Sequence, residues 1–196
     1  MEKYKFVQVI SHPRSGSHYL TALIAKNFFK TNDYLRFYGG HGFNFKIMRE
    51  RVKNKNQTLF IYIWRNFEDV AKSIFKLRAR FGLNVSDLKI FKNTPYSKMW
   101  TNKIPVKVLR KTLTTEKVFE TVDPLFREID KIPKEFHRLH FNFWSTIYAD
   151  YNNVIIISYD DLKNNYIKIL DILSSILHIQ HSSINITDKI GWQLIE

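Results

Sequence analysis

Phe6-Val7-Gln8-Val9-Ile10-Ser11-His12-Pro13-Arg14-Ser15-Gly16-Ser17-His18-Tyr19 runs from a short apolar stretch, through a turn of proline, serine and glycine, into a helical pattern. From Ser17 to Phe29, Leu20, Leu23, Ile24 and Phe28 recur at helical spacing, so the stretch reads as strand, tight loop and helix start. In that arrangement successive backbone N–H groups and the positive end of the helix dipole can hold an anion. Gly16 lets the backbone approach closely, Ser15 and Ser17 add hydroxyl donors, and Arg14 brings a fixed positive charge. The Walker A spacing is not met, because no Gly-x4-Gly-Lys-Ser/Thr is present. By position the loop is a phosphate cradle, although the same turn taken alone would also serve as a plain polar connection.

The alternation recurs along the chain. Leu59 to Trp64 and Val154 to Ser158 are short, nearly continuous in apolarity and rich in β-branched and aromatic residues, as strands buried on both faces of a parallel sheet should be. Helical patterns follow at Phe67 to Phe81, with Val70, Ile74, Leu77 and Phe81 in register, and at Tyr166 to Leu177. A further helix from Lys134 to Tyr151, begun at Pro133, leads into the third strand with Phe136, Leu139, Phe143, Trp144 and Ile147 on one stripe. The expected fold is α/β, a three-layer sandwich with a central, mainly parallel sheet and a P-loop-like phosphate-binding loop after the first strand. Residues 1–196 are expected to form a single domain, with an irregular helical insertion at about 82–133.

Composition narrows the chemistry. With 196 residues, 44% of them hydrophobic, the chain can bury one sizeable core. It has no cysteine, which excludes a disulfide-stapled miniprotein, thiolate metal sites and cysteine nucleophiles. Lys and Arg number 31 against 18 Asp and Glu, and the resulting charge of +13 favours anionic partners, whether nucleic acid, an acidic membrane surface or a phosphorylated small molecule. Phe6 to Ile10 is too short for a secretion signal and no apolar run approaches a membrane span, so a cytoplasmic location is expected.

The second segment, Ile61-Tyr62-Ile63-Trp64-Arg65-Asn66-Phe67-Glu68-Asp69-Val70-Ala71-Lys72-Ser73, makes the resemblance specific. The first loop resembles the 5′-phosphosulfate loop of sulfotransferases that use 3′-phosphoadenosine 5′-phosphosulfate (PAPS), commonly Pro-Lys/Arg-Ser-Gly-Thr-Thr-Trp. The second resembles their 3′-phosphate motif, a strand ending in Arg-Asn-Pro-x-Asp-Val-Ala-x-Ser, whose Arg and Ser are eight apart like Arg65 and Ser73. A third stretch, Ser158-Tyr159-Asp160-Asp161-Leu162-Lys163, is similar to the family's Tyr-Glu-Asp-Leu segment after a core strand. The three motifs fall in the family's order and together cover about half of the chain.

That resemblance implies PAPS as donor, 3′-phosphoadenosine 5′-phosphate (PAP) as product and no metal. It implies Arg65 forking onto the 3′-phosphate with Ser73 adding a hydroxyl, where the alternative for Arg65 is a surface ion pair with Glu68 or Asp69. Ser15, Gly16 and Ser17 would hold the 5′-phosphate, with Arg14 stabilising charge on the leaving oxygen. An arginine cannot readily give up a proton, so Arg14 is an electrostatic stabiliser and not an acid. Tyr19 stands where the family stacks a Trp on adenine, or is a core aromatic. Tyr159 would lie near the adenine edge, or is a buried strand-end tyrosine. His18 could bond the 5′-phosphate or cap the helix.

Among seven histidines, His41 in Tyr38-Gly39-Gly40-His41-Gly42-Phe43 lies closest to the family's base position, 24 residues before Arg65 and after a short strand expected at Leu35 to Tyr38. Gly39 stands where the family often carries a supporting Lys. His137 and His140, three apart on a helix, could orient two metal ligands or belong to a half-buried helix face, and no third ligand is indicated.

The resemblance weakens towards the end of the chain. The family's Arg-Lys-Gly-x-x-Gly clamp on the 3′-phosphate has only Asp188-Lys189-Ile190-Gly191-Trp192 to correspond to it, and Lys117 to Phe126 matches a dimer motif only in its first half. Oligomeric state is left open. The resemblance implies a small-molecule, carbohydrate or lipid hydroxyl, or an amine, as acceptor, and its identity is not readable from the residues. Phe91, Tyr96, Trp100 and Phe119 of the insertion either line its pocket or belong to an ordinary lid. Two other readings stay open: a divergent P-loop kinase, against which the missing Walker lysine argues, and a non-catalytic basic protein binding nucleotide or nucleic acid. Nucleic acid is the less expected partner, because an anionic donor already accounts for the basic balance.

Overall fold

A computed structural model describes residues 4–28, 55–79, 83–99 and 131–186. Among these residues three strands, β1 (Phe6–Ser11), β2 (Thr58–Trp64) and β3 (Val154–Ser158), lie in the order β1-β2-β3 and pair in parallel throughout. Val9 stands beside Ile61 and Ile61 beside Ile155, which brings the carboxyl ends of all three strands to one edge. Successive strand side chains point to opposite faces, so each face collects its own apolar set.

Val7, Val9, Leu59, Ile61, Ile63 and Ile157 pack against Leu20, Leu23 and Ile24 of α1 (Ser17–Phe28) and against Leu170, Leu173 and Leu177 of α6 (Tyr166–Leu177). On the opposite face Ile10, Phe60, Tyr62 and Val154 receive Trp144 from α4 (Pro133–Asp150). With helices on both faces the arrangement is the three-layer α/β architecture expected from the sequence. β1 and β2 are buried on both faces as expected, whereas Ile155 and Ile156 of β3 are only half-buried.

α2 (Phe67–Lys76) starts at Asn66, whose side-chain oxygen accepts the Glu68 N–H at 2.8 Å, and Glu68 and Asp69 favour the positive end of its dipole. It is shorter than the expected run to Phe81. The N–H groups of Leu77 and Arg78 turn back to the carbonyls of Ile74 and Phe75, three residues behind, and this tightened turn ends the helix. Val70, Ala71 and Ile74 of α2 join Phe91 of α3 (Leu88–Asn93), Tyr96, Met99 and Phe136 in one cluster. Phe91 and Tyr96 are thus buried in this cluster. Trp100 and Phe119 lie outside the described residues.

The apolar stripe on α4 also differs from expectation. Pro133, Phe136, His140 and Trp144 are the buried positions, while Leu139 is 39% exposed. His140 can occupy a core position in part because the Tyr62 hydroxyl lies 2.9 Å from its Nδ1, so that these two buried polar atoms pair with each other. Tyr62 stacks on Trp144 with ring centroids 5.6 Å apart, so one aromatic set fixes helix to sheet.

Candidate functional site

Parallel strands of an open α/β sheet place their following loops at the carboxyl edge, where such sheets hold ligands. Here those loops are residues 12–16 after β1, Arg65 and Asn66 after β2, and the start of α5 (Tyr159–Asn164) after β3. All three sequence motifs meet at this edge.

The loop after β1 closes on a Ser15 N–H to His12 carbonyl bond of 3.2 Å, and α1 begins as the Leu20 N–H reaches the Gly16 carbonyl. Two residues hold positive φ, Arg14 at 67° and Gly16 at 99°. At Gly16 a side chain is excluded twice over. The backbone lies in the left-handed region, and a Cβ would run into Cδ2 and Cε2 of the Tyr159 ring. The third motif therefore covers the first.

The second motif joins them through two contacts. Arg14 Nε donates to Ser73 Oγ at 3.0 Å, across 59 residues of sequence. The Arg65 guanidinium lies 4.4 Å over the centre of the Tyr159 ring, within cation–π range. Arg65 makes no ion pair with Glu68 or Asp69, and Glu68 instead pairs with Lys92 of α3, which holds its carboxyl below the ordinary range. The surface-pair alternative for Arg65 is thereby removed. Arg14 and Ser73, expected at different phosphates of one donor, are in direct contact.

Ser15 and Ser17 are buried, and Tyr19 is half-buried with its ring 6.5 Å from that of Tyr159, edge to face. The Tyr19 hydroxyl donates to Asn185 Oδ1 at 3.3 Å. Burial first, and the neighbouring Arg14 charge second, lower the pKa of His18, which favours its neutral form. Two polar atoms at this edge, Ser15 Oγ and Arg65 Nε, are buried with no hydrogen-bond partner among the described residues. Buried donors are ordinarily satisfied, and both are of the type that binds phosphate oxygens. The residues present therefore fit an anionic nucleotide. His41, the expected strand at Leu35 to Tyr38, Lys117 to Phe126 and Lys189 lie outside the described residues.

A group of aromatic and imidazole rings beneath the loop was not read as part of the site. His12, 1% exposed, donates from Nδ1 to the Pro13 carbonyl at 3.0 Å. Its ring centre lies 4.9 Å from His137 and 5.5 Å from His140, both contacts edge to face. His137 Nε2 donates to the Arg65 carbonyl at 2.9 Å. The available signal was His12 at the carboxyl end of a buried strand, facing a helix that carries two histidines one turn apart. Among the described residues no group of three or more His, Asp or Glu could hold a metal ion.

No family model matches the chain, and no curated protein is similar to it. A search of solved structures finds similarity to the crystal structure of mouse sulfotransferase SULT7A1 complexed with PAP. The two are 17% identical with a TM-score of 0.43, over 96% of this chain and 61% of that one. This chain thus spans about three fifths of the length of that sulfotransferase.

Proposed function

We propose that the protein transfers a sulfuryl group from PAPS to a hydroxyl or amine acceptor and releases PAP. The observation that carries this reading is the meeting of three separate motifs at one sheet edge, joined by the Arg14–Ser73 hydrogen bond and the Gly16–Tyr159–Arg65 stack. The donor, when bound, supplies the sulfuryl group and the leaving phosphate. Arg14, the loop amides and Ser15 stabilise negative charge at the 5′ end, while Arg65 and Ser73 hold the 3′-phosphate. Tyr19 and Tyr159 offer ring faces and edges to the adenine. His18 donates an imidazole N–H to the 5′-phosphate.

His41 takes the proton of the acceptor hydroxyl as a new S–O bond forms and the S–O bond to the leaving phosphate breaks. An imidazole of ordinary pKa is suited to that transfer near neutral pH. The acceptor is a small molecule or a carbohydrate or lipid hydroxyl, no metal is required, and the reaction runs in the cytoplasm within a single domain. Among the described residues no helix is long and apolar enough to cross a membrane. His41→Ala tests the mechanism: sulfuryl transfer should fall ~10²- to 10⁴-fold with PAP affinity nearly unchanged. Activity within about threefold of wild type would remove His41 from the mechanism.

A further inference from the structure

Arg65 follows the last paired residue of β2, since the ladder to β3 ends at Trp64 beside Ser158. Its carbonyl therefore lies beyond the sheet and is met by the imidazole of His137, 72 residues away on α4, at 2.9 Å. A carbonyl only accepts, so His137 carries its proton on Nε2. Burial, opposed in part by this bond, keeps the pKa of His137 below the ordinary imidazole value. The same ring packs edge to face on His12 at the start of the phosphate loop, and lies 5.7 Å from Phe67, the first residue of α2. One side chain thus touches the loop after β1 and both sides of the turn that carries Arg65. The φ/ψ freedom of that turn decides where the Arg65 guanidinium stands, and it stands over Tyr159.

We propose that His137 is a positioning residue that fixes Arg65 for recognition of the donor's 3′-phosphate. This rests on the reading of Arg65 as the 3′-phosphate ligand. His137 touches neither phosphate nor acceptor in this role and acts by holding the Arg65 carbonyl. A hydrogen bond can bias the arginine only by its own net strength, which caps the effect at about 2- to 12-fold in affinity.

The test compares wild type, Arg65→Ala, His137→Phe and His137→Gln by calorimetric titration with PAP and with AMP, which lacks the 3′-phosphate. His137→Phe keeps an aromatic ring against His12 and Phe67 but loses the donor, and His137→Gln restores an N–H that can reach the carbonyl. The PAP-to-AMP affinity ratio should fall about 2- to 12-fold in His137→Phe, recover in His137→Gln, and collapse in Arg65→Ala. In a crystal structure of His137→Phe without nucleotide, the Arg65 guanidinium should have left the Tyr159 ring. Should His137→Phe not fold, His137→Asn, whose amide is too short to reach the carbonyl, replaces it.

A ratio that falls by less than about 2-fold, no recovery in His137→Gln, or an Arg65 still seated on Tyr159 overturns the positioning role. A wild-type protein without preference for PAP over AMP overturns the donor reading, and this one with it.

Discussion

Gly16 has two separate reasons to be glycine, and they can be pulled apart. Left-handed φ costs an L-residue roughly 1–2 kcal/mol, and collision with the Tyr159 ring adds a packing penalty of about 1–3 kcal/mol. Gly16→Ala should therefore destabilise by about 2–5 kcal/mol in urea unfolding, and by only about 1–2 kcal/mol in a Tyr159→Ala background. Equal costs in both backgrounds would show that the ring does not press on the loop. Arg14 also sits at positive φ, so with its side chain removed Arg14→Gly should be more stable than Arg14→Ala by about 1 kcal/mol. Both variants should lose sulfuryl transfer. The reverse stability order would contradict the backbone described for this loop.

At the scale of elements, α4 ties the sheet to the site through His137 and His140, and the His137 imidazole makes stability depend on pH. His137 and His18 both have pKa values lowered chiefly by burial. As pH falls through the ordinary histidine value of about 6.5, the unfolded chain takes up protons that the folded chain refuses. The stability conferred by holding these groups neutral is present above that pH and is lost below it. The urea midpoint should drop between about pH 7.5 and about pH 5, with a shallower slope in His137→Gln. A midpoint that rises over that range would show that these imidazoles are not held neutral.

The elements themselves were largely legible, because buried parallel strands are continuous in Val, Ile, Leu and aromatics and show as such at Phe6, Leu59 and Val154. The face of α4 was not. Leu139 has the better hydropathy for a core position, yet His140 takes it, because a tyrosine hydroxyl on β2 supplies the partner that no single-segment pattern contains. The end of α2 was misplaced for a similar reason, since Leu77 keeps the apolar spacing while its N–H already bonds three residues back. Arg14, Ser73, Arg65 and Tyr159 were found by motif, but their mutual contacts come only from the parallel register that aligns three strand ends.

Over the whole molecule, a charge of +13 makes the protein a general attractor for anions. That field raises the association rate for any nucleotide and fades with salt, so it cannot choose between them. In the proposed reading, selectivity falls to Arg65 and its neighbours. Raising ionic strength should therefore weaken PAP and AMP together, while the ratio between them changes less than either affinity. Chelation of divalent ions should leave turnover intact if positive side chains and loop amides carry the charge stabilisation, and a strict requirement for added magnesium would favour a kinase-like reading.

The most direct test is a calorimetric titration of wild type and Arg65→Ala with PAP, AMP and magnesium ATP at one salt concentration. Charge-assisted bonds to the 3′-phosphate should give wild type a preference for PAP over AMP of roughly 10- to 150-fold, lost in Arg65→Ala, with magnesium ATP bound more weakly than PAP. Equal affinity for PAP and AMP in wild type, or tighter binding of magnesium ATP, would contradict the account.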